Sequence, residues 1–247
     1  MTESLNKNHL QLRTPRANLL WSKENLLNLA VNLLPKNYKA VAFIDADIQF
    51  DNPHWASDTL KLLNGYYDVV QLFNVCLDMD KNNNTMSCFH SLGYQYVTKQ
   101  KYYKSQINFS HPGYAFAYTR SFYENCMKGL FDVEILGSSD YKMCLAFLNK
   151  DTLHYCKDHK QILDDFKERT KYSRLGYTPT MIIHFWHGSK KSRGYDTRYK
   201  KLIQYKFNHS TMLCRDNQGL IIPTKKFPTG LLRYIQNYFI ERNEDAE

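Results

Sequence analysis

The sequence lacks a long apolar run, which argues against a helical membrane protein. None of its segments approaches the ~20 consecutive apolar residues that a membrane-spanning helix needs. The first ten residues also lack the apolar stretch of a secretory signal. We therefore expect no transmembrane segment, no secretion and a cytoplasmic location.

Cysteine is scarce and shows none of the spacings that carry chemistry. The six cysteines are scattered along the 247 residues without a C-x-x-C pair. In a chain without a secretory signal, this pattern indicates reduced and mostly buried thiols. A disulfide framework and a zinc finger are both disfavoured.

The sequence does contain enough apolar residues for a core, together with an excess of positive charge. Hydrophobic residues make up 43% of the chain and aromatic residues 15%, which is typical of one or two folded domains. The net charge of +9 indicates an anionic partner, either nucleic acid, an anionic membrane or a phosphorylated small molecule. The basic runs at 157–174 and 190–206 are more typical of solvated helix faces, so nucleic acid is the disfavoured partner.

The most informative motif is a pair of aspartates that follows an apolar segment. Residues 40–44 are predicted to form a buried, central strand that ends at Asp45 and Asp47. Buried carboxylates are costly unless a partner offsets their lost hydration, and a divalent cation is such a partner. Side chains two apart on a strand share a face, so both carboxylates could reach one ion. Two exposed loop aspartates are the alternative.

A Gly-Ser-Ser-Asp segment at 137–140 is predicted to open a helix that runs to about residue 148. Asp140 at such a helix start is stabilised electrostatically, which is a purely structural explanation. The functional alternative is a general base beside an acceptor hydroxyl.

A predicted strand at 180–184 ends close to two histidines three residues apart, His184 and His187. A metal site built from aspartates readily accepts one imidazole. The basic loop that follows, 189–198, is of the kind that closes over phosphates, although an exposed basic loop is equally consistent with it.

The alternation of strands and helices predicts an α/β protein. Residues 1–18 are expected to be irregular, 19–207 to form the main domain, and 208–247 to form an extension of a hairpin and a helix. A helix is predicted at 23–34, and residues 78–87 are predicted to be a polar loop.

The order of these segments resembles that of glycosyltransferases of the GT-A fold. Trp-Ser-Lys-Glu-Asn-Leu-Leu-Asn at 21–28, followed by the aspartate pair, resembles the helix and metal-binding strand of inverting galactosyltransferase-type enzymes. His-Pro-Gly-Tyr-Ala-Phe-Ala at 111–117 resembles the strand that frames the two sugars. Gly-Ser-Ser-Asp stands where that family has Gly-Gly-Glu-Asp, and 187–193 is similar to its late metal histidine and basic loop. The chain also resembles uncharacterised glycosyltransferase-like proteins of large DNA viruses and algae, and in a virus its location would be the host cytoplasm.

This resemblance implies a GT-A-like, Rossmann-like mixed sheet flanked by helices. It also implies transfer of a sugar, with inversion, from a nucleotide-sugar such as a UDP-sugar to a hydroxyl of a glycan or glycoprotein. Mn²⁺ or Mg²⁺ would be held by Asp45, Asp47 and His187, with His184 orienting His187, and Asp140 would be the base. The resemblance further implies donor contacts by Lys23, Asn28, Asp45 and Arg193, and substrate contacts by His111, Gly113, Gly137, Ser138 and Ser139.

GT-A domains begin with a strand and loop that hold the nucleotide base. Only 44 residues precede Asp45, so we expect the chain to lack part of that N-terminal unit. This leaves two alternatives to an active transferase. One is a catalytically dead GT-A-like partner of another transferase, and the other is a basic nucleic-acid-binding protein or metal nuclease.

Overall fold

The computed structural model describes residues 9–99, 110–188, 194 and 197–242. Within these ranges the α-helices are α1 (Lys23–Val31), α2 (Trp55–Gly65), α3 (Leu92–Thr98), α4 (Ser139–Phe147), α5 (Lys157–Thr170), α6 (Arg198–Gln204), α7 (His209–Met212) and α8 (Thr229–Arg242). The strands are β1 (Ala40–Ile44), β2 (Ile48–Phe50), β3 (Val69–Gln71), β4 (Val75–Met79), β5 (Thr85–His90), β6 (Ala115–Thr119), β7 (Leu175–Tyr177), β8 (Met181–His184), β9 (Leu213–Arg215) and β10 (Ile221–Pro223). A π-helical turn spans Phe122–Met127.

The first sheet has the strand order β1-β6-β3-β7 and helices on both faces. β6 is antiparallel to β1 and β3, whereas β3 is parallel to β7. Residues of α4 and α5 share a core with Val69, Phe116 and Leu175 on one face. On the other face, Leu63 of α2 packs with Val70. The architecture is therefore α/β, with mixed sheets flanked by helices, as the alternation of elements predicts.

β1 has the predicted bounds, but it is neither central nor buried. It stands at the end of the sheet order, and β6 is its partner among the described strands. Val41 is the one buried residue of the strand, and Ile44 is 39% exposed. The prediction of a buried central strand is wrong because sheet order is set by distant pairing partners. An apolar run with small alanines also suits an edge strand with one covered face.

The second sheet, in the order β2-β8-β4-β5, contains a hairpin where the sequence predicted a polar loop. β4 and β5 are antiparallel and are joined by a short turn. In that turn Asp80 Oδ1 accepts hydrogen bonds from the backbone N–H groups of Asn82 and Asn84, and Asn83 has a φ of 61°. The loop prediction for 78–87 is wrong because the Asn-rich run occupies only the short turn, and the residues on either side of it belong to β4 and β5. Burial alternates along β4, as expected for a strand, but the polar residues that follow it led to the prediction of a loop.

The C-terminal part of the described chain packs under the segment that leads into α4. Leu231 and Ile235 of α8 share a buried cluster with Ile135 and Leu136. The predicted hairpin forms as β9 and β10, and the predicted last helix forms as α8. The boundary at residue 208 stays a prediction, but these residues share a core with residues assigned to the main domain.

The N-terminal helix is shorter than predicted. α1 ends at Val31, and the backbone N–H groups of Leu33 and Leu34 bond to carbonyls three residues earlier. Pro35 explains this tightening because it disfavours helical geometry in the residue before it. No helix in the described part of the chain has the length and apolar character needed to cross a membrane. Residues 1–8 and most of the basic loop at 189–198 lie outside the described ranges.

Candidate functional site

The turn between β1 and β2 separates the two aspartates of the motif. Asp45 and Asp47 follow the last residue of β1, and the two strands belong to different sheets. Asp45 Oδ1 lies 2.5 Å from Lys23 Nζ of α1, whereas Asp47 Oδ2 lies 3.0 Å from His187 Nε2. The alternation of a strand does not extend through a turn, so the prediction that both carboxylates share a face is wrong.

Asp47, His184 and His187 form a compact group of possible metal ligands. Their nearest ligand atoms are separated by 3.0 Å (Asp47 to His187), 3.1 Å (His184 to His187) and 3.7 Å (His184 to Asp47). Metal–ligand bonds of about 2.0–2.2 Å place neighbouring ligand atoms about 3 Å apart, so one ion fits between them. Among the described residues Asp47 Oδ1 is buried without a hydrogen-bond partner, which is rare for a carboxylate oxygen and suits a cation ligand.

Strand pairing explains why these side chains meet. In the β2–β8 ladder Ile48 stands opposite His184, and the Phe185 N–H donates to the Asp47 carbonyl at 2.8 Å. In the parallel β4–β8 ladder Asp78 stands opposite His184. The turn before β2 and the neighbouring strand β4 therefore each present a carboxylate to the end of β8.

Asp78 is a functional candidate that sequence reasoning missed. It is 1% exposed, and its Oδ1 lies 2.7 Å from His184 Nδ1, while Ser87 Oγ donates to its Oδ2 at 3.2 Å. A carboxylate on one ring nitrogen fixes the ring and leaves the other nitrogen for a metal. His184 was predicted to orient His187, but the structure places its Nε2 among the possible ligands. Placing Asp78 in a loop concealed this contact.

The electrostatics of the group are those of a carboxylate shared between imidazoles. Burial raises the pKa of Asp47, but the hydrogen bond to His184 and the charges of His184 and His187 outweigh it, so the pKa is lowered. Burial lowers the pKa of His184, but Asp47 and Asp78 outweigh that effect, so the pKa is raised. The cluster therefore favours a bound positive charge, which a proton or a metal ion can supply.

Asp140 lies at the start of α4, against Gly113. A Cβ added to Gly113 would lie 2.7 Å from Asp140 Oδ2 and 3.0 Å from His111 Cε1, so a side chain there would clash with both. The Tyr141 N–H donates to Asp140 Oδ1 at 2.8 Å. Gly113 is therefore required for the close approach of Asp140 and His111, two of the predicted site residues.

The electrostatic surroundings of Asp140 suit a proton acceptor. Burial raises its pKa, the charges of Lys23 and Arg198 oppose that shift, and the charge of Asp45 adds to it. Nearby Glu24 is also buried, which raises its pKa to about 7. A carboxylate with a raised pKa is a better base than an ordinary aspartate, and such groups are common in active sites.

Stacked rings connect the surroundings of Asp140 to the possible metal group. The ring of His111 stacks on Tyr114 at 4.0 Å, and the Tyr114 ring lies 4.4 Å from that of His184. Tyr114 has a φ of 75°, and its carbonyl accepts from the Asp45 N–H at 2.9 Å. Both parts of the candidate site thus share one aromatic wall, of which Tyr114 was not predicted.

The predicted substrate loop, Gly137 to Ser139, is supported by α6 and α8. Gly137 and Ser138 have φ values of 81° and 84°. The Arg198 guanidinium donates to Ser138 Oγ and, at 3.1 Å, to the Tyr238 hydroxyl. Ser139 is fully buried, which disagrees with its predicted substrate contact, because the first residue of α4 turns into the core. Arg198 and Tyr238 position this loop, and neither contact has a short-range signal in the sequence because both residues are distant along the chain.

Asn28 connects α1 to the segment that follows the π-helical turn. Its Nδ2 donates to the carbonyl of Leu130 at 3.0 Å and to Asp132 at 3.2 Å. Its Oδ1 accepts from the Leu130 N–H at 2.7 Å and from the Tyr123 hydroxyl at 2.8 Å. Both ends of the amide have partners within the fold, which supports a structural role, and the donor contact stays a prediction. Arg193, the predicted donor contact in the basic loop, lies outside the described residues.

Comparisons with known proteins do not extend this picture. No protein-family model, curated protein or solved structure matches the chain.

The structural role of Asn28 gives a first prediction. We expect Asn28→Ala to lower the free energy of unfolding by about 2–4 kcal/mol, because several partly buried groups lose their partner. Urea denaturation would measure this, with Asn125→Ala as control, since Asn125 is exposed and its amide donates to the exposed Ser121. Unchanged stability of Asn28→Ala together with lost nucleotide binding would favour the donor role.

Proposed function

We propose that the chain is a metal-dependent glycosyltransferase of GT-A-like fold that moves a sugar from a nucleoside-diphosphate donor to a hydroxyl group. The observation that carries this proposal is that stacked rings connect a possible metal group to a possible catalytic base. An Asp-His-His group lies at one end, and a carboxyl with a raised pKa, Asp140, lies near the other. Transfer of a sugar needs both a site for the diphosphate and a base for the acceptor.

The ligand set favours Mn²⁺ over Mg²⁺. Two imidazole nitrogens and one carboxylate suit a first-row transition metal, whereas Mg²⁺ prefers oxygen ligands and retained waters. Asp47, His184 and His187 would hold the ion, and Asp78 would fix His184. When bound, the ion would neutralise negative charge that develops on the diphosphate leaving group.

The remaining residues of the site have roles that follow from their contacts. Asp140 accepts the proton of the acceptor hydroxyl. The acceptor oxygen then attacks the anomeric carbon on the face opposite the diphosphate leaving group, which inverts the anomeric configuration. Arg198 holds Ser138 and so fixes the loop that precedes Asp140. Lys23 lies on the donor side, where it binds Asp45 in the absence of a ligand.

A second candidate function follows from the occupied carboxylate of Asp45. Its pairing with Lys23, together with the edge position of β1, suits a GT-A-like protein that has lost donor binding and acts as a partner of another transferase.

Non-haem iron enzymes use the same ligand set, but they do not need a base such as Asp140. A nucleic-acid-binding role requires affinity that persists at moderate salt, and filter binding at increasing salt would test it.

Metal removal and restoration test the proposal. We expect UDP to bind the EDTA-treated protein weakly or not at all, and to bind with a Kd between about 1 µM and 1 mM once Mn²⁺ is added. Isothermal titration calorimetry would measure this, with Mg²⁺ as the matched comparison and a weaker effect expected for it. No binding of UDP by a cooperatively folded, Mn²⁺-loaded protein would favour the binding-partner alternative.

A further inference from the structure

A cavity of about 200 Å³ opens between α4, α5 and the loop that joins them. Four lysines line it (Lys142, Lys150, Lys160 and Lys167), and His154 adds a fifth nitrogen group. None of the residues assigned to the candidate glycosyltransferase site lines this cavity. Its chemistry therefore needs a separate explanation.

We propose that this cavity is a second ligand site, which binds a small phosphate monoester with an apolar body. The proposal does not depend on the glycosyltransferase function. It depends on a buried ammonium group at the wall of the cavity, on cations whose present partners are easily displaced, and on an apolar wall.

The buried ammonium group is that of Lys142, which is 5% exposed. Its Nζ lies 2.8 Å from Glu134 Oε1 and 3.4 Å from the Leu153 carbonyl. Burial lowers its pKa, and Glu134 opposes that shift only in part. A further anion at Lys142 would therefore be stabilised by a charge that is poorly compensated at present.

The tautomer of His159 shows which groups accept hydrogen bonds from Lys142. The Tyr155 N–H donates to His159 Nδ1 at 3.4 Å, so the ring proton is on Nε2, which donates to Glu134 Oε1 at 2.8 Å. His159 Nε2 therefore cannot accept from Lys142 Nζ, although the two atoms are 3.2 Å apart. The Lys142 ammonium group therefore donates to Glu134 and to the Leu153 carbonyl, and its Nζ also lies 5.2 Å from the centre of the Tyr199 ring. Lys142 thus contributes a buried positive charge at the wall of the cavity.

Two rim cations are held by exposed partners. Lys160 Nζ lies 2.5 Å from Asp164 and Lys167 Nζ lies 2.5 Å from Asp151, whose side chain is 90% exposed. Exposed ion pairs of this kind contribute little to stability and are readily exchanged. A phosphate dianion accepts several charge-assisted hydrogen bonds at once, so it would compete well with either carboxylate.

The wall of the cavity favours an ester over inorganic phosphate. Phe131, Leu163 and Phe166 contribute to the lining, and each is less than a tenth exposed. Burying an apolar ring against these side chains adds a term that free phosphate cannot supply. The arrangement of cations around an apolar wall therefore matches a ligand with an anionic phosphate at one end and an apolar group at the other.

Phenyl phosphate is a suitable probe. We expect one molecule to bind the full, EDTA-treated chain with a Kd below about 1 mM by isothermal titration calorimetry in phosphate-free buffer. The double variant Lys160→Gln, Lys167→Gln should bind at least about tenfold more weakly, since two charged donors are lost. Lys171→Gln is the matched control because Lys171 directly follows α5, pairs with Glu168 and does not line the cavity. The affinity of this variant for phenyl phosphate should not change.

Three results would overturn the proposal. The first is the absence of saturable binding to the folded wild-type chain up to about 10 mM. The second is equal affinity in the double variant, and the third is equal affinity for phenyl phosphate and inorganic phosphate. Asp47→Asn should bind phenyl phosphate as the wild type does, so failure of the metal site and failure of this site are distinguishable.

Discussion

Replacement of Asp140 by asparagine is expected to lower the rate of sugar transfer by about 10²–10⁴-fold, while Mn²⁺-dependent binding of UDP stays intact. Asparagine keeps the shape of the side chain and can still accept the hydrogen bond from the Tyr141 N–H. It cannot take up the proton of the acceptor hydroxyl. The effect should therefore appear in kcat and not in donor affinity.

Asp165→Asn is the matched control for this experiment, since Asp165 is exposed on α5 and bonds to Gln161. The pH profile of the wild type gives a second measurement. Asp140 acts as a base only when deprotonated, and burial raises its pKa, so the rate should reach its plateau at a higher pH than an ordinary aspartate would give. Near-normal turnover of Asp140→Asn would show that another group removes the proton.

The second large effect is expected at the metal group. Asp47→Asn should lower the affinity for Mn²⁺ by more than about 100-fold, because it removes the one carboxylate of the ligand set. Asp78→Asn should lower it by about 10–100-fold, since His184 loses the partner that fixes its ring. Titration of Mn²⁺ followed by electron paramagnetic resonance would measure both losses.

Asp45→Asn distinguishes the structure from the motif-based expectation. The Asp45 carboxylate pairs with Lys23 and lies outside the Asp-His-His group, so the affinity for Mn²⁺ should change little. A loss as large as that of Asp47→Asn would show that both aspartates bind the ion. Asp165→Asn again serves as the control for the substitution itself.

The parts of the fold that could be predicted are those with a local signal. The bounds of β1 follow from an uninterrupted apolar run, and the start of α4 follows from a Gly-Ser-Ser-Asp segment. The edge position of β1 could not be predicted, because it depends on pairing with β6, some seventy residues later. Local patterns fix elements, whereas sheet order depends on distant contacts.

The candidate site shows the same division. The sequence singled out Asp47, His187 and Asp140, and the structure gives each of them chemically useful surroundings. It could not reveal that a turn directs Asp45 to Lys23, since side-chain direction in a turn has no simple period. Asp78 was missed because the polar turn after it hid the alternation of β4.

The buried group of Glu134, Lys142 and His159 has a consequence for how this sequence can diverge. Neutralising one member leaves the others buried with an uncompensated charge or an unpaired donor, which is usually far more costly than replacing the whole group by apolar residues. The Glu134 carbonyl also accepts from the Gly137 N–H, so such a defect would be felt in the loop before Asp140. Relatives of this chain should therefore keep all three residues or exchange them together, and the three positions would vary as one unit.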